Sequence, residues 1–173
     1  MKIKDQKITS FLDSLASKTP TPGGGAVAAV TGAMAASLVE MVCNLTIGRK
    51  RYLDVQDEII KIAERSSELT EKLLDLADDD CEAFEKVMTA YKTEDEDKIK
   101  AALLGAIEIP QKTAEYCENI RELAEIVGQI GNTNAHSDAM SAAHLAFAAI
   151  QSAQENVEIN KKMLQTLAKA GKS

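Results

Sequence analysis

Four short segments of this chain carry side chains that a plain packed domain does not require. The first is Asp78-Asp79-Asp80-Cys81-Glu82. Asp80 falls in the series Leu73, Leu76, Asp80, Ala83, Val87, whose spacings alternate between three and four and whose other members are apolar. A carboxylate there carries a desolvation cost unless it is paired, hydrogen-bonded or used in proton transfer. Asp80 is therefore either an acid–base group or the cap of a new helix with Glu82 in its first turn; Asp78 and Asp79 point off the series, towards water. The second segment is Thr21-Pro22-Gly23-Gly24-Gly25. Free backbone N–H groups at a helix start, with no side chains in the way, can receive an anion or a polar ligand, although a tight turn with close helix packing has the same composition. Gly23-x-Gly25-x-x-Ala28 is not a dinucleotide fingerprint, because no strand precedes it. The third segment, Asn44 to Arg51, ends in Arg49, Lys50 and Arg51. Such a run either complements a helix dipole, the simpler reading, or binds a carboxylate. The fourth, Gly131-Asn132-Thr133-Asn134-Ala135-His136-Ser137-Asp138, either caps a helix or offers hydrogen-bonding groups to a heteroaromatic ligand.

Long helices must position these segments. The periodicity predicts a first helix over about 4–17, with Ile8, Leu12 and Leu15 on one face. A Pro- and Gly-rich turn leads into a second helix over about 25–47, ended by Gly48. A third begins near Asp54 and carries a seam of Val55, Ile59, Ile62, Ser66, Leu69, Leu73, Leu76, Asp80, Ala83 and Val87. After a polar connection, a fourth helix covers about 96–130, kinked or broken at Pro110. A fifth runs from near Ser137 to about Ala168. No strand pattern and no repeat of 20–50 residues is visible. The expected fold is all-α: a single domain over 1–173, an up-and-down bundle of about five long helices with helix four kinked at its proline.

Composition narrows the function. Of 173 residues, 45% are hydrophobic and only 3% aromatic, so the core must be aliphatic. A net charge of −7 argues against nucleic-acid binding, which rests on neutralising phosphates. Cys43, Cys81 and Cys117 are scattered and His136 and His144 stand eight apart, so neither a disulfide framework nor a metal site is expected. The N-terminus is charged and lacks a signal-type apolar region. Residues 19–39 carry no charge, but their Gly, Ala, Thr and Pro content fits a helix buried on all sides in a soluble bundle better than a membrane span. The expected setting is the cytoplasm.

In chain order, F-L-D-S-L-A-S-K-T-P-T-P-G-G-G-A-V-A-A-V, M-V-C-N-L-T-I-G-R-K-R-Y, D-D-D-C-E-A-F, I-P-Q-K-T-A-E and G-N-T-N-A-H-S-D-A resemble the formiminotetrahydrofolate cyclodeaminase family, which includes stand-alone proteins described as methenyltetrahydrofolate cyclohydrolases. The resemblance extends over about 8–160. It implies an all-helical homodimer that takes a reduced folate as substrate and holds no permanently bound cofactor. The implied reaction converts 5-formiminotetrahydrofolate to 5,10-methenyltetrahydrofolate with release of ammonia. Two alternatives stand beside it: a methenyltetrahydrofolate cyclohydrolase, and a non-catalytic dimeric helical scaffold. On the enzymatic reading Asp80 is the first catalytic candidate, with Glu82 and Asp138 behind it. Pro22, Gly23, Gly24 and Gly25 contact the substrate, Asn44, Asn132 and Asn134 orient its pterin, and Arg49, Lys50 and Arg51 hold its glutamate tail. Ala-rich faces on helices two and five add to the expectation of a twofold dimer.

Overall fold

The computed structural model describes residues 2–170. Five helices follow in order: α1 (Ile8–Leu15), α2 (Gly24–Thr46), α3 (Gln56–Tyr91), α4 (Glu96–Ile130) and α5 (His136–Ala170). Short 3-10 turns occupy Ile3–Asp5, Lys50–Val55 and Thr133–Ala135, and no strand occurs among the described residues. The long helices α2 to α5 run up and down in chain order, and α2 packs on α3, α4 and α5. The architecture is the expected all-α bundle, built from four long helices and one short one.

The α3 seam is the spine of the core. Ile59, Ser66, Leu69 and Leu73 are fully buried, and Ile62, Leu76, Ala83 and Val87 nearly so. Small residues on α2 let its neighbours approach: a Cβ on Gly32 would lie 2.5 Å from Cys117 Sγ and 3.2 Å from Leu73 Cδ1. Gly48 ends the α2 segment at φ +76, a left-handed conformation that glycine adopts without a Cβ penalty. Asp95 caps α4, its Oδ1 accepting from the backbone N–H of Asp97 (3.1 Å) and Lys98 (3.2 Å).

Two expectations require correction. Helix α1 is eight residues long, and Ile8 and Leu12 are exposed while Phe11 takes the buried position. In a two-turn helix the larger aromatic ring offers more apolar area than its aliphatic neighbours. Helix α2 is not buried on all sides, since Met34, Met41 and Leu45 face outward. By length and composition it is apolar enough to cross a membrane, with 56% of its most apolar stretch buried in the bundle. Pro110 lies within α4, which extends on both sides of it. Proline has no N–H to give the carbonyl four residues earlier, that of Ala106. That carbonyl instead accepts from Asn160 Nδ2 on α5 at 2.7 Å.

Candidate functional site

Helices α3 and α5 are each about a dozen residues longer than α2. Where α2 begins, the bundle therefore steps from four helices to three. Beyond the step, Ala83, Val87, Ala90, Ile99, Leu103 and Ala106 form a second core with Leu164 and Leu167. At the step lies a cavity of about 260 Å³. Its walls are the turn residues Pro20, Thr21 and Gly23–Gly25, then Asp80, Phe84 and Met88 of α3, Ala106 of α4, and Asn156, Ile159, Asn160 and Met163 of α5. The Thr21–Pro22 peptide within this turn is cis.

Asp80 is the only acidic group in that wall. Its helix is unbroken from Gln56 to Tyr91, so Asp80 is not a helix cap. The carboxylate packs against the start of α2, where a Cβ on Gly25 would collide with it. The backbone N–H of Ala26 donates to it. Burial raises the carboxyl above its ordinary value, and the Ala26 bond only partly offsets this, because one neutral donor does not replace full hydration. The adjoining Cys81 thiol is pushed up to about 11, first by burial and then by the Asp80 charge, so it stays protonated.

Two asparagines complete the polar lining. Asn156 Nδ2 donates to Ser152 O at 2.8 Å, and Asn160 Nδ2 donates to the Ala106 carbonyl that Pro110 leaves free. With both amide nitrogens anchored on backbone, each side chain retains its carbonyl oxygen as acceptor. The cavity thus combines a carboxylate and two amide oxygens with apolar side chains, a lining suited to a flat ligand rich in N–H groups or carrying positive charge. Asn156 and Asn160 were not among the residues singled out from the sequence. Their spacing of four on one helix face was visible, but polar residues at that spacing usually mark a solvated face.

The remaining expected residues are distributed otherwise. Glu82 is exposed, 3.8 Å from Lys86 Nζ. Asp78 is half-buried, contrary to the expectation that it faces water: its Oδ1 accepts from the Ile3 N–H at 2.7 Å, and its Oδ2 is buried without a partner. Asp79 is exposed, as expected, yet desolvation still raises its carboxyl. Asn44, Arg49, Lys50, Arg51, Asn132, Asn134 and Asp138 all cluster at the opposite end of α2, about 33 Å away along a 23-residue helix. There Arg49 Nε donates to Leu45 O at 2.6 Å, closing the C-terminus of α2, and the Arg51 guanidinium lies 5.6 Å from the Tyr52 ring centroid. Asn132 is buried and ties the turn together: its N–H donates to Thr46 Oγ1 (2.9 Å), its Nδ2 to Leu45 O (2.9 Å), and its Oδ1 accepts from the Asn134 N–H (3.0 Å). Asp138 lies half-buried in the first turn of α5. The chain therefore joins the glycine turn to Asp80 but not to the basic run or the asparagine turn. Among the described residues no group of three or more His, Cys, Asp or Glu side chains could hold a metal ion.

With this geometry in place, similarity to known proteins is informative. The chain is 45% identical over 169 residues to a methenyltetrahydrofolate cyclohydrolase of Methylorubrum extorquens, covering 92% of this chain and 81% of that protein. It is 30% identical to the formimidoyltransferase-cyclodeaminase of Sus scrofa over 90% of this chain, although it spans only 30% of that longer protein. The crystal structure of a formiminotetrahydrofolate cyclodeaminase from Thermotoga maritima superposes with a TM-score of 0.91 at 40% identity, covering 97% of this chain and 85% of that one. The family model described as formiminotransferase-cyclodeaminase matches residues 7–172. The same segments that line the cavity and its opposite end thus sit in a shared fold, and the chain belongs to the formiminotransferase-cyclodeaminase family.

Proposed function

We propose that this protein is a folate one-carbon enzyme that closes 5-formiminotetrahydrofolate to 5,10-methenyltetrahydrofolate and releases ammonia. One observation carries the reading: a half-buried carboxylate, Asp80, held against the side-chain-free start of α2 in the wall of a cavity. In the reaction the bridge nitrogen of the folate attacks the formimino carbon. A new carbon–nitrogen bond forms and the amidinium becomes a tetrahedral centre. The proton on the bridge nitrogen must leave and the departing amine must gain one. When the carbon–amine bond breaks, ammonia departs and the methenyl cation remains. A carboxyl shifted upward by burial is suited to both transfers, taking the first proton as base and returning it as acid. As an anion it also faces the positive carbon favourably. The Asn156 and Asn160 oxygens accept from pterin N–H groups and fix the ring, holding the two nitrogens of the folate in reacting geometry.

A second reading is methenyltetrahydrofolate cyclohydrolase, favoured by the 45% identity to the Methylorubrum protein. There water adds to the methenyl carbon and Asp80 accepts its proton before the ring opens to formyl-folate. Ultraviolet absorption of the methenyl chromophore separates the two readings. Growth of the signal from formimino-folate supports ring closure; accelerated decay of methenyl-folate supports hydrolysis; absence of both rejects folate catalysis. On this reading the protein acts as a cytoplasmic homodimer without a permanently bound cofactor. Its basic run at Arg49, Lys50 and Arg51 serves the substrate's glutamate.

A further inference from the structure

We infer that Phe84 touches the substrate and that its aromatic face holds the positive charge of the one-carbon group, making the cavity selective for cationic over neutral folates. The inference rests on the folate reading above and deepens it. The first ground is the charge of the wall. The chain carries 20 Lys and Arg residues, yet among the described residues none lines this cavity, whereas Asp80 does. A concave site with a carboxylate and no cation favours positive charge. The second ground is the ring itself. The chain holds three Phe, three Tyr and no Trp, and Phe84 is the only aromatic residue in the wall. It belongs to neither apolar core and remains 36% exposed. Two other rings already face a cation of the chain: Arg51 lies 5.6 Å from the Tyr52 centroid and Lys72 lies 5.9 Å from that of Tyr116. Among the described residues no Lys or Arg is so placed over Phe84, and its face is open to a ligand.

The third ground is position. Phe84 follows Asp80 by four residues on the unbroken α3 helix, so the two side chains lie one turn apart on the same face. Their separation along the axis is about 6 Å. A charge placed between them lies within the roughly 6 Å over which a ring quadrupole attracts a cation. Met88, one turn further on, is 46% exposed, so Phe84 stands between the inner carboxylate and the mouth. The chemistry gives such a ring a task. In the proposed ring closure the amidinium substrate and the methenyl product are both cations, and Asp80 must also take a proton and return it. A cation paired with Asp80 alone would draw the carboxyl down from the raised position that burial gives it, and so weaken it as a proton acceptor. An aromatic face holds the same charge without carrying one. It shares the cation and leaves the carboxylate its basicity.

Two measurements test this. The first needs no folate. Wild type and Phe84→Leu are titrated with N-methylquinolinium and with quinoline, a flat cation and a neutral counterpart of similar size, followed by NMR chemical shifts. Phe84→Leu should weaken quinolinium binding about 3- to 30-fold and change quinoline binding by less than about 2-fold. That result stands whether or not the protein acts on folates. In the second, wild-type turnover through the methenyl chromophore is established first, which tests the folate reading alone. Mono-, di- and trifluorophenylalanine are then incorporated in place of Phe84. Fluorine withdraws negative charge from the ring face while nearly keeping its shape and apolar surface. The Kd for 5,10-methenyltetrahydrofolate, read by stopped flow before turnover, should rise with each fluorine, and that for tetrahydrofolate should not. A ring that only packs against the ligand would move both alike. No binding of N-methylquinolinium by wild type, equal losses for the charged and neutral members of either pair, or a flat fluorine series would each overturn the cation-selective role of Phe84.

Discussion

Gly25 and Asp80 occupy one space, and the rest of the cavity depends on how they share it. An alanine at Gly25 would drive its Cβ into the Asp80 carboxylate, a short side chain with little reach by which to give way. Gly25→Ala is therefore expected to lower stability by about 1–3 kcal/mol and to abolish most turnover. Gly24→Ala meets only Asn156 Nδ2 at 3.5 Å, an ordinary contact, and should keep both. Urea melts with initial-rate measurements on the two variants check this. The raised Asp80 carboxyl has a sign that can be tested independently. Its folded value lies above its unfolded one, so the ionised form costs stability. That cost is absent below the ordinary carboxylate range, grows as pH rises through it, and is full above the folded value. Asp80→Asn, which keeps an acceptor for the Ala26 N–H, should then melt higher than wild type at neutral pH and equally at low pH. The seam position of Asp80 was legible because a carboxylate in an apolar repeat breaks a pattern. Asn156 and Asn160 break none: amides in a polar stretch of helix look solvated until the shorter α2 leaves the step that exposes them to a cavity.

At the level of elements, Pro110 and Asn160 act as a pair across α4 and α5. The proline frees the Ala106 carbonyl, and the asparagine amide satisfies it. Asn160→Ala alone leaves a carbonyl without its donor and should cost about 1–3 kcal/mol. Adding Pro110→Ala returns a backbone N–H to Ala106, so the double variant should be more stable than Asn160→Ala alone. A denaturant double-mutant cycle reads this coupling, and additive losses would show that the two residues act separately. Helix packing offers a second contrast. Gly32→Ala meets Cys117 and Leu73 and should destabilise by about 1–3 kcal/mol. Gly105→Ala has open space and should stabilise by about 0.5–1 kcal/mol, measured as paired shifts in Tm. The sequence showed that Pro110 sat within a helical pattern. It did not show that a side chain fifty residues away would supply the missing donor, because that pairing exists only once α4 and α5 are packed. The first helix was misjudged for a related reason: a three-to-four periodicity ranks faces by pattern, whereas Phe11 won its place by area.

The whole molecule is a bundle whose helices differ in length, and the difference places the chemistry. Apolar periodicity made the long helices legible almost to their ends, since a seam such as Ile59 to Val87 admits no other period. It could not show that the four chemical segments fall into two groups at opposite ends of α2, because that separation follows from chain reversal rather than from any local signal. The central claim is that the end holding Asp80 is the reacting end and that Asp80 moves the proton. The measurement that tests it most directly is turnover of folded Asp80→Asn beside Glu82→Gln, followed through the methenyl chromophore. The account predicts a fall of about 10²- to 10⁴-fold for Asp80→Asn, the usual range for a lost acid–base group, and near wild-type turnover for the exposed Glu82→Gln. Wild-type turnover in folded Asp80→Asn would contradict it.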